Sequence, residues 1–414
     1  MNNKKIKNNI IKTVLSYEQI YLIITILMSS LLTGVFFGMT LNIDGSYPSD
    51  TPAHIRESLS LNGYGLQHIF IFLVGKVTSF PMLQLIVAIS ETVLVMATWM
   101  ISQKYIKDFF DLDKYIVLAI STGLIFLTSI YIPVIFPDFY KEGLGTQPWH
   151  NSTYYGMRLA GVVYFTLLSR VLPRYQKCIT KSEWCGITLS LAVSTMFKPN
   201  FLLSVCVVLA SILIFDLFRE RNIQVFKNIV VMGMTIIPSI IVLLIQYIVL
   251  YILGNPEGNS GIEIVWFSDL MWQGGAMHMF IKLFRQFAFM LVVLLFVYRE
   301  KKEYVKNLNT NINMYFSIML YVSSLIIFSV FKETGTRAND GNFGWAIPMG
   351  YYLMYLYIVP WFLQKNKEYR VTKTSNYLGR NCFLYCIGVI LLLAHFISGI
   401  FYFTIIANGN TFYL

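Results

Sequence analysis

The chain has 414 residues, 56% of them hydrophobic and 13% charged, with a mean hydropathy of +0.60. Soluble domains carry about 25% charged residues, so an ordinary water-soluble enzyme is excluded. The net charge of +11, from 32 Lys and Arg against 21 Asp and Glu, raises nucleic acid as a partner, but the basic residues lie at the ends of apolar runs and sort by side, which removes that class.

Those apolar runs predict an all-α, polytopic membrane protein forming one transmembrane domain over 1–414. Eleven spans are expected at 20–40, 82–103, 115–136, 156–172, 183–197, 200–218, 228–253, 280–298, 312–331, 346–363 and 381–405. With the N-terminus inside, 23 of the 32 basic residues fall on the cytoplasmic side, as the positive-inside rule requires. The first run is followed by no small-residue cleavage site, so it reads as a retained helix and not as a removed signal. The five cysteines, Cys178, Cys185, Cys206, Cys382 and Cys386, fit neither a zinc nor a disulfide framework and read as packing residues.

Cytoplasmic connectors are short and basic, whereas the outer side carries long loops at 41–81, 137–155, 254–279 and 332–345, with four of the five histidines. A functional site is therefore expected to face outward. The first loop ends in Leu66, Ile69, Phe70, Leu73 and Val77, one stripe at helical spacing, which predicts an interfacial helix; a re-entrant segment is the alternative. Earlier in the loop, Asp50 precedes Thr51-Pro52, a helix start signal. Asp50 is thus either a helix cap or a carboxylate aimed at a cavity, with His54 and Glu57 following at spacings that share a helical face.

The fifth span is only 15 residues, about 22 Å of helix against roughly 30 Å of hydrocarbon, and it turns at Lys198-Pro199-Asn200. Lys198 then either lies below the surface beside an anion or water, or snorkels to the headgroups. The second outer loop holds Pro137-Asp138-Phe139-Tyr140 and Gly143 to Thr153, including Trp149, His150 and Asn151. Aromatic faces beside amides and hydroxyls are the mixture that saccharides need. The last loop, Lys332 to Trp345, places Glu333, Arg337 and Asn342 among glycines; arginine suits phosphate, and a Glu333–Arg337 ion pair is the structural alternative. Arg285 and Lys282 at the outer end of span eight are further cations that could converge with Lys198 and Arg337 on a phosphate. Within the spans, Glu91 and His395 are each either an interhelical hydrogen bond or, together, a proton path.

An aspartate soon after the first span, an interfacial helix behind it, a short broken helix and an outer basic site resemble the GT-C superfamily of membrane glycosyltransferases. The Asp50 loop, the Trp149-His150-Asn151 segment and the Glu333–Trp345 loop are also similar to segments of bacterial cell-surface polysaccharide polymerases. The resemblance covers the layout and some forty loop residues, and it departs from the superfamily in having no Asp-x-Asp pair, since Asp44 and Asp50 are too far apart. It implies a multi-pass protein of the bacterial plasma membrane that transfers sugar from a polyprenyl-phosphate or pyrophosphate carrier. Asp50 would be the catalytic base, supported by His54, with Arg337, Lys198 and Arg285 on the phosphate and Trp149, His150, Asn151, Glu333 and Asn342 on the saccharide. If a divalent cation such as Mg2+ or Mn2+ takes part, Asp50 and His54 are its expected ligands. A lipid-oligosaccharide flippase or other transporter, and after it a scaffold, are the competing classes; the inverted repeats of transporters are not found here.

Overall fold

The structure is a computed structural model that describes residues 15–41, 49–60, 65–131, 148–220, 222–253, 261–267, 275–299, 312–335, 338, 341–372 and 380–408. Its helices are α1 (Tyr17–Leu41), α2 (Thr51–Leu59), α3 (Leu66–Gly75), α4 (Phe80–Phe109), α5 (Lys114–Ile125), α6 (Ser152–Val171) and α7 (Lys181–Phe197). They continue with α8 (Asn200–Glu220), α9 (Ile223–Met234), α10 (Ile237–Tyr247), α11 (Gly275–Arg299), α12 (Ile312–Val330), α13 (Ala346–Thr372) and α14 (Arg380–Ala407). Among the described residues eight helices are long and apolar enough to cross a membrane, α9 and α10 counting as one. The chain is a multispan helical membrane protein. The other three expected spans, at 115–136, 156–172 and 183–197, are the more polar α6 and the shorter α5 and α7.

The packing is concentric. In the apolar 18-residue stretch of the span that ends in α13, 94% of the residues are buried, against 22% in that of α1 and 28% in that of the α9–α10 span. A helix apolar around its whole circumference can only be a central one when its neighbours cover every face; Tyr351, Tyr352 and Tyr355 of α13 accordingly lie in the core with their hydroxyls engaged by other buried groups. Peripheral helices keep Leu27, Ile241 and Leu244 outward, as lipid-facing surfaces should. Pro238, in the first turn of α10, divides the α9–α10 span, because a proline ring cannot continue the preceding hydrogen-bond ladder.

Helix α5 departs from the expected span. It ends at Ile125, and the chain to Tyr131 is not helical. Unwound backbone in a bilayer must find internal partners, and three side chains supply them. His395 Nδ1 donates to the Thr128 carbonyl at 2.7 Å, Arg285 Nε donates to the Ile130 carbonyl at 2.7 Å, and Ser398 Oγ accepts the Tyr131 N–H at 2.9 Å. The Ile130 N–H returns a bond to the Arg285 carbonyl. Gly399 lets α14 approach here, for a Cβ at that position would fall 1.3 Å from the Phe126 carbonyl oxygen.

The two ends of the bundle differ in kind. At one end Arg170 pairs with Asp108, Lys367 with Asp111 and Arg174 with Glu183, and the Thr180–Glu183 capping box starts α7. Helix α6 runs from that end to Ser152, a rise of roughly 30 Å over its 20 residues, and delivers its first turn to the opposite end. There a short antiparallel ribbon, β1 (Ile262–Ile264) against β2 (Phe331–Glu333), pairs Ile262 with Glu333.

Candidate functional site

The site is built where the starts of α2, α6 and α8 meet the end of α7. Asp50 stands at the N-cap of α2 with proline in the first turn, as the start signal predicts, yet its side chain makes no capping bond. The carboxylate turns away from its helix and Oδ2 accepts from Asn151 Nδ2 at 2.7 Å, while the Asp50 N–H donates to the His150 carbonyl at 2.8 Å. The first loop is thereby strapped to the segment before α6. Asp50 is therefore at the cap position without acting as a side-chain cap, and its carboxylate is held by Asn151.

Asn151 is the bridge of the cluster. Its Oδ1 accepts from Thr153 Oγ1 at 2.6 Å and from Lys198 Nζ at 3.4 Å, and Lys198 also reaches Thr153 Oγ1 at 3.5 Å. One amide therefore separates a carboxylate from a cation. Lys198 is the residue after α7, whose last carbonyls carry the negative end of the helix dipole. Gln246 Nε2 satisfies two of those carbonyls, Thr195 at 3.1 Å and Met196 at 3.3 Å. The ammonium lies 4.0 Å from the centre of the Trp345 ring, a cation–π placement, and the Trp345 ring is 5.3 Å from that of His150. Lys198 is thus directed towards Asn151, Thr153 and the Trp345 ring.

From Trp345 the hydrogen bonds continue. Trp345 Nε1 donates to Asn342 Oδ1 at 3.1 Å, Asn342 Nδ2 to Glu333 Oε2 at 2.6 Å, and Asn200 Nδ2 to the Asn342 carbonyl at 2.7 Å. The turn that presents Asn342 begins at Gly341, whose φ of 62° suits glycine. Beside this chain opens a groove of about 600 Å³ between α8, α10 and α12, within the roughly 300–1,000 Å³ of small-molecule sites. Lys198, Asn200, Glu333 and Asn342 line its polar end, and Leu203, Leu243, Leu244, Ile327 and Phe331 are among its apolar walls. Val207 and Leu244, both on the wall, are half exposed, so the groove is open along an apolar flank between helices.

Burial sets the protonation of the two histidines. Desolvation holds His150 down to about 4, with Asp50 opposing and Lys198 adding. Desolvation likewise holds His54 down to about 4, Asp50 opposing and His68 and Lys198 adding. Both rings are neutral at pH 7. His54 Nδ1 lies 2.7 Å from Ser152 Oγ, which ties α2 to the first turn of α6.

Several expected residues sit elsewhere. Trp149 is 1% exposed and packs among Phe36, Phe126, Tyr155 and Phe403, so it is core and has no free face; the tryptophan beside Lys198 and His150 is Trp345. Arg285 is committed to the unwound backbone after α5. Glu91 is buried and accepts from Thr51 Oγ1 at 3.5 Å, directly beneath the start of α2, whereas His395 lies with Tyr351, Tyr355 and Thr128; among the described residues no hydrogen bond links the two groups. The expected cation pair Asp50–His54 is not the arrangement seen, since Asp50 gives its carboxylate to Asn151 while His54 converges with Glu57 and His68. Arg337, the Glu333–Arg337 pair, Asp44, Tyr47, Pro48 and Pro137 to Gln147 lie outside the described residues.

Sequence reasoning missed Thr153, Asn200 and Ser152 as site residues, and it missed Arg158. That arginine is fully buried in α6, with the rings of Trp149, Tyr154, Tyr155 and Tyr352 within 5.5–6.0 Å of its guanidinium. A lone arginine inside a span, with tyrosines three and four positions earlier, was the available signal. Comparison with protein-family profiles, with curated proteins and with solved structures finds no match to this chain.

Proposed function

We propose that this chain is a membrane glycosyltransferase or polysaccharide polymerase, acting on a polyprenyl-phosphate- or pyrophosphate-linked saccharide at the outer face of the cell membrane in cell-surface polysaccharide assembly. The observation that carries the reading is the Asp50–Asn151–Lys198 cluster at the polar end of a groove that opens sideways between helices. A lipid-linked donor needs those features together: an apolar slot for the chain, a cation at its mouth for the phosphate and a carboxylate one group further on.

In this reading the acceptor hydroxyl attacks the anomeric carbon while Asp50 takes its proton as general base. The bond between that carbon and the phosphate oxygen breaks, its electron pair passes to the departing phosphate, and Lys198 stabilises the charge that accumulates there. Asn151 orients both groups. Asn342 and Trp345 are placed to meet the saccharide, and the layout's resemblance to the GT-C superfamily supports the same chemistry. Arg337 enters as a second phosphate ligand on its sequence context alone.

The test is the fate of lipid-linked glycans in cells lacking the protein, complemented with wild type, Asp50→Asn or Lys198→Met. The reading expects carrier-linked saccharide to accumulate on the outer leaflet and neither variant to restore long surface chains, although both insert normally. Accumulation on the cytoplasmic leaflet would identify a flippase instead, and full complementation by both variants would remove this site from the function.

A further inference from the structure

Beside the Asp50 cluster, three side chains of the first loop converge. His54 and Glu57 stand one turn apart on α2, and His68 stands near the start of α3. One ligand atom from each lies within 4.8 Å of the others. The His68 Nε2 to Glu57 Oε2 distance is 3.5 Å, and the two imidazole rings are 5.1 Å apart at 64°. Around a tetrahedral zinc, ligand atoms about 2.1 Å from the metal are about 3.4 Å from one another. The glutamate–histidine edge already has that length, and the two edges to His54 are within 4.8 Å.

We propose that His54, Glu57 and His68 form a zinc site that fastens α2 to α3, with a fourth position open to water or a substrate oxygen. Two neutral imidazoles and one carboxylate favour zinc over magnesium or calcium, which take all-oxygen shells. The supporting contacts of a metal site are present as well. Ser152 Oγ engages His54 Nδ1 at 2.7 Å, which leaves Nε2 as the metal-binding nitrogen and fixes the ring as an outer partner does. His68 has a side chain 7% exposed, and Glu57, at 53%, gives an ion its path from solvent. The ion would set the angle between α3 and the helix whose first turn carries Asp50. This inference does not rest on the transfer reading.

The experiment uses the full chain, purified in detergent, stripped with chelator and then given Zn2+ or Co2+ alone. Expected are about one equivalent of bound zinc and the intense visible bands of tetrahedral Co2+, discharged by zinc. Glu57→Gln, an exposed change that does not disturb packing, should weaken binding at least about tenfold, as should Ser152→Ala, and His68→Ala should abolish it. The proposal is overturned if the wild-type chain takes up no stoichiometric zinc, if Co2+ shows only octahedral bands, or if Glu57→Gln and His68→Ala bind as wild type does. Zinc bound as described in a chain that moves no sugar would sink the transfer reading and leave this one standing.

Discussion

Asn151 is the residue on which the candidate site depends, and its contribution can be worked out before it is measured. It is 3% exposed and makes a 2.7 Å bond to the Asp50 carboxylate, a 2.6 Å bond from Thr153 and a 3.4 Å contact from Lys198. A hydrogen bond to a charged group contributes about 1.5–3 kcal/mol and a neutral one about 0.5–1.5; the long lysine contact adds little. Asn151→Ala should therefore destabilise by about 3 kcal/mol. Of this, about 2 kcal/mol should vanish when Asp50 is already alanine, because the Asp50 bond is then lost in both states of the cycle. The assay is a double-mutant cycle over Asp50→Ala and Asn151→Ala, read from reversible unfolding in mixed micelles. The same 2 kcal/mol, if it orients the base, corresponds to about a thirtyfold loss of turnover in Asn151→Ala. A coupling energy below about 0.5 kcal/mol, the noise of additivity, would refute the claim that Asn151 positions Asp50.

Lys198→Met should lower the rate of transfer by about 10² to 10³, the size of losing one stabiliser of developing charge, in single-turnover measurements at saturating donor; an unchanged rate would remove Lys198 from the phosphate. Stability should fall on acidification. Burial holds His150 down to about 4, below the ordinary histidine value of about 6.5, so the unfolded chain binds more protons, stability is complete above about 6.5 and declines as pH drops towards 4. The loss from this group at pH 5 is about 2 kcal/mol, and a thermal scan across pH should show a shallower decline for His150→Asn. Gly399→Ala should abolish folded yield in fluorescence-detected gel filtration, because the Cβ meets backbone that cannot move aside. Gly34→Ala, where nothing lies within 4 Å of a Cβ, is the control and should gain up to about 1 kcal/mol.

What the sequence made legible followed from periodicity and charge. Spans such as 312–331 and 346–363 agree with α12 and the apolar part of α13 within a few residues, because long apolar runs have no other way to satisfy their backbone. The short α7 with its turn at Lys198 was readable from length alone, and Asp50 and Asn151 from their loops. The end of α5 at Ile125 was not readable: the residues after it are as apolar as those before, and what unwinds them is a set of partners, His395, Arg285 and Ser398, more than a hundred and fifty positions away. The same blindness misassigned Arg285 to a phosphate and Trp149 to a sugar, since residue type reports capacity and only packing reports commitment. Glu57 and His68 were visible singly; their meeting with His54 depends on how α2 folds against α3.

Helix α3 has its two faces set opposite to those of a water-facing helix. Gln67 and His68 are turned into the protein, while Ile69, Phe70 and Leu73 are exposed. A short segment of that kind suits the boundary between headgroups and acyl chains, and it follows in the chain on α2, which Asp50 precedes as N-cap. The depth of the candidate site is then referenced to the lipid boundary as well as to the bundle. Bilayer thickness becomes a variable of the candidate site: a thinner membrane would draw α3 inward against the fixed ends of α6 and α7, and a thicker one would lift it.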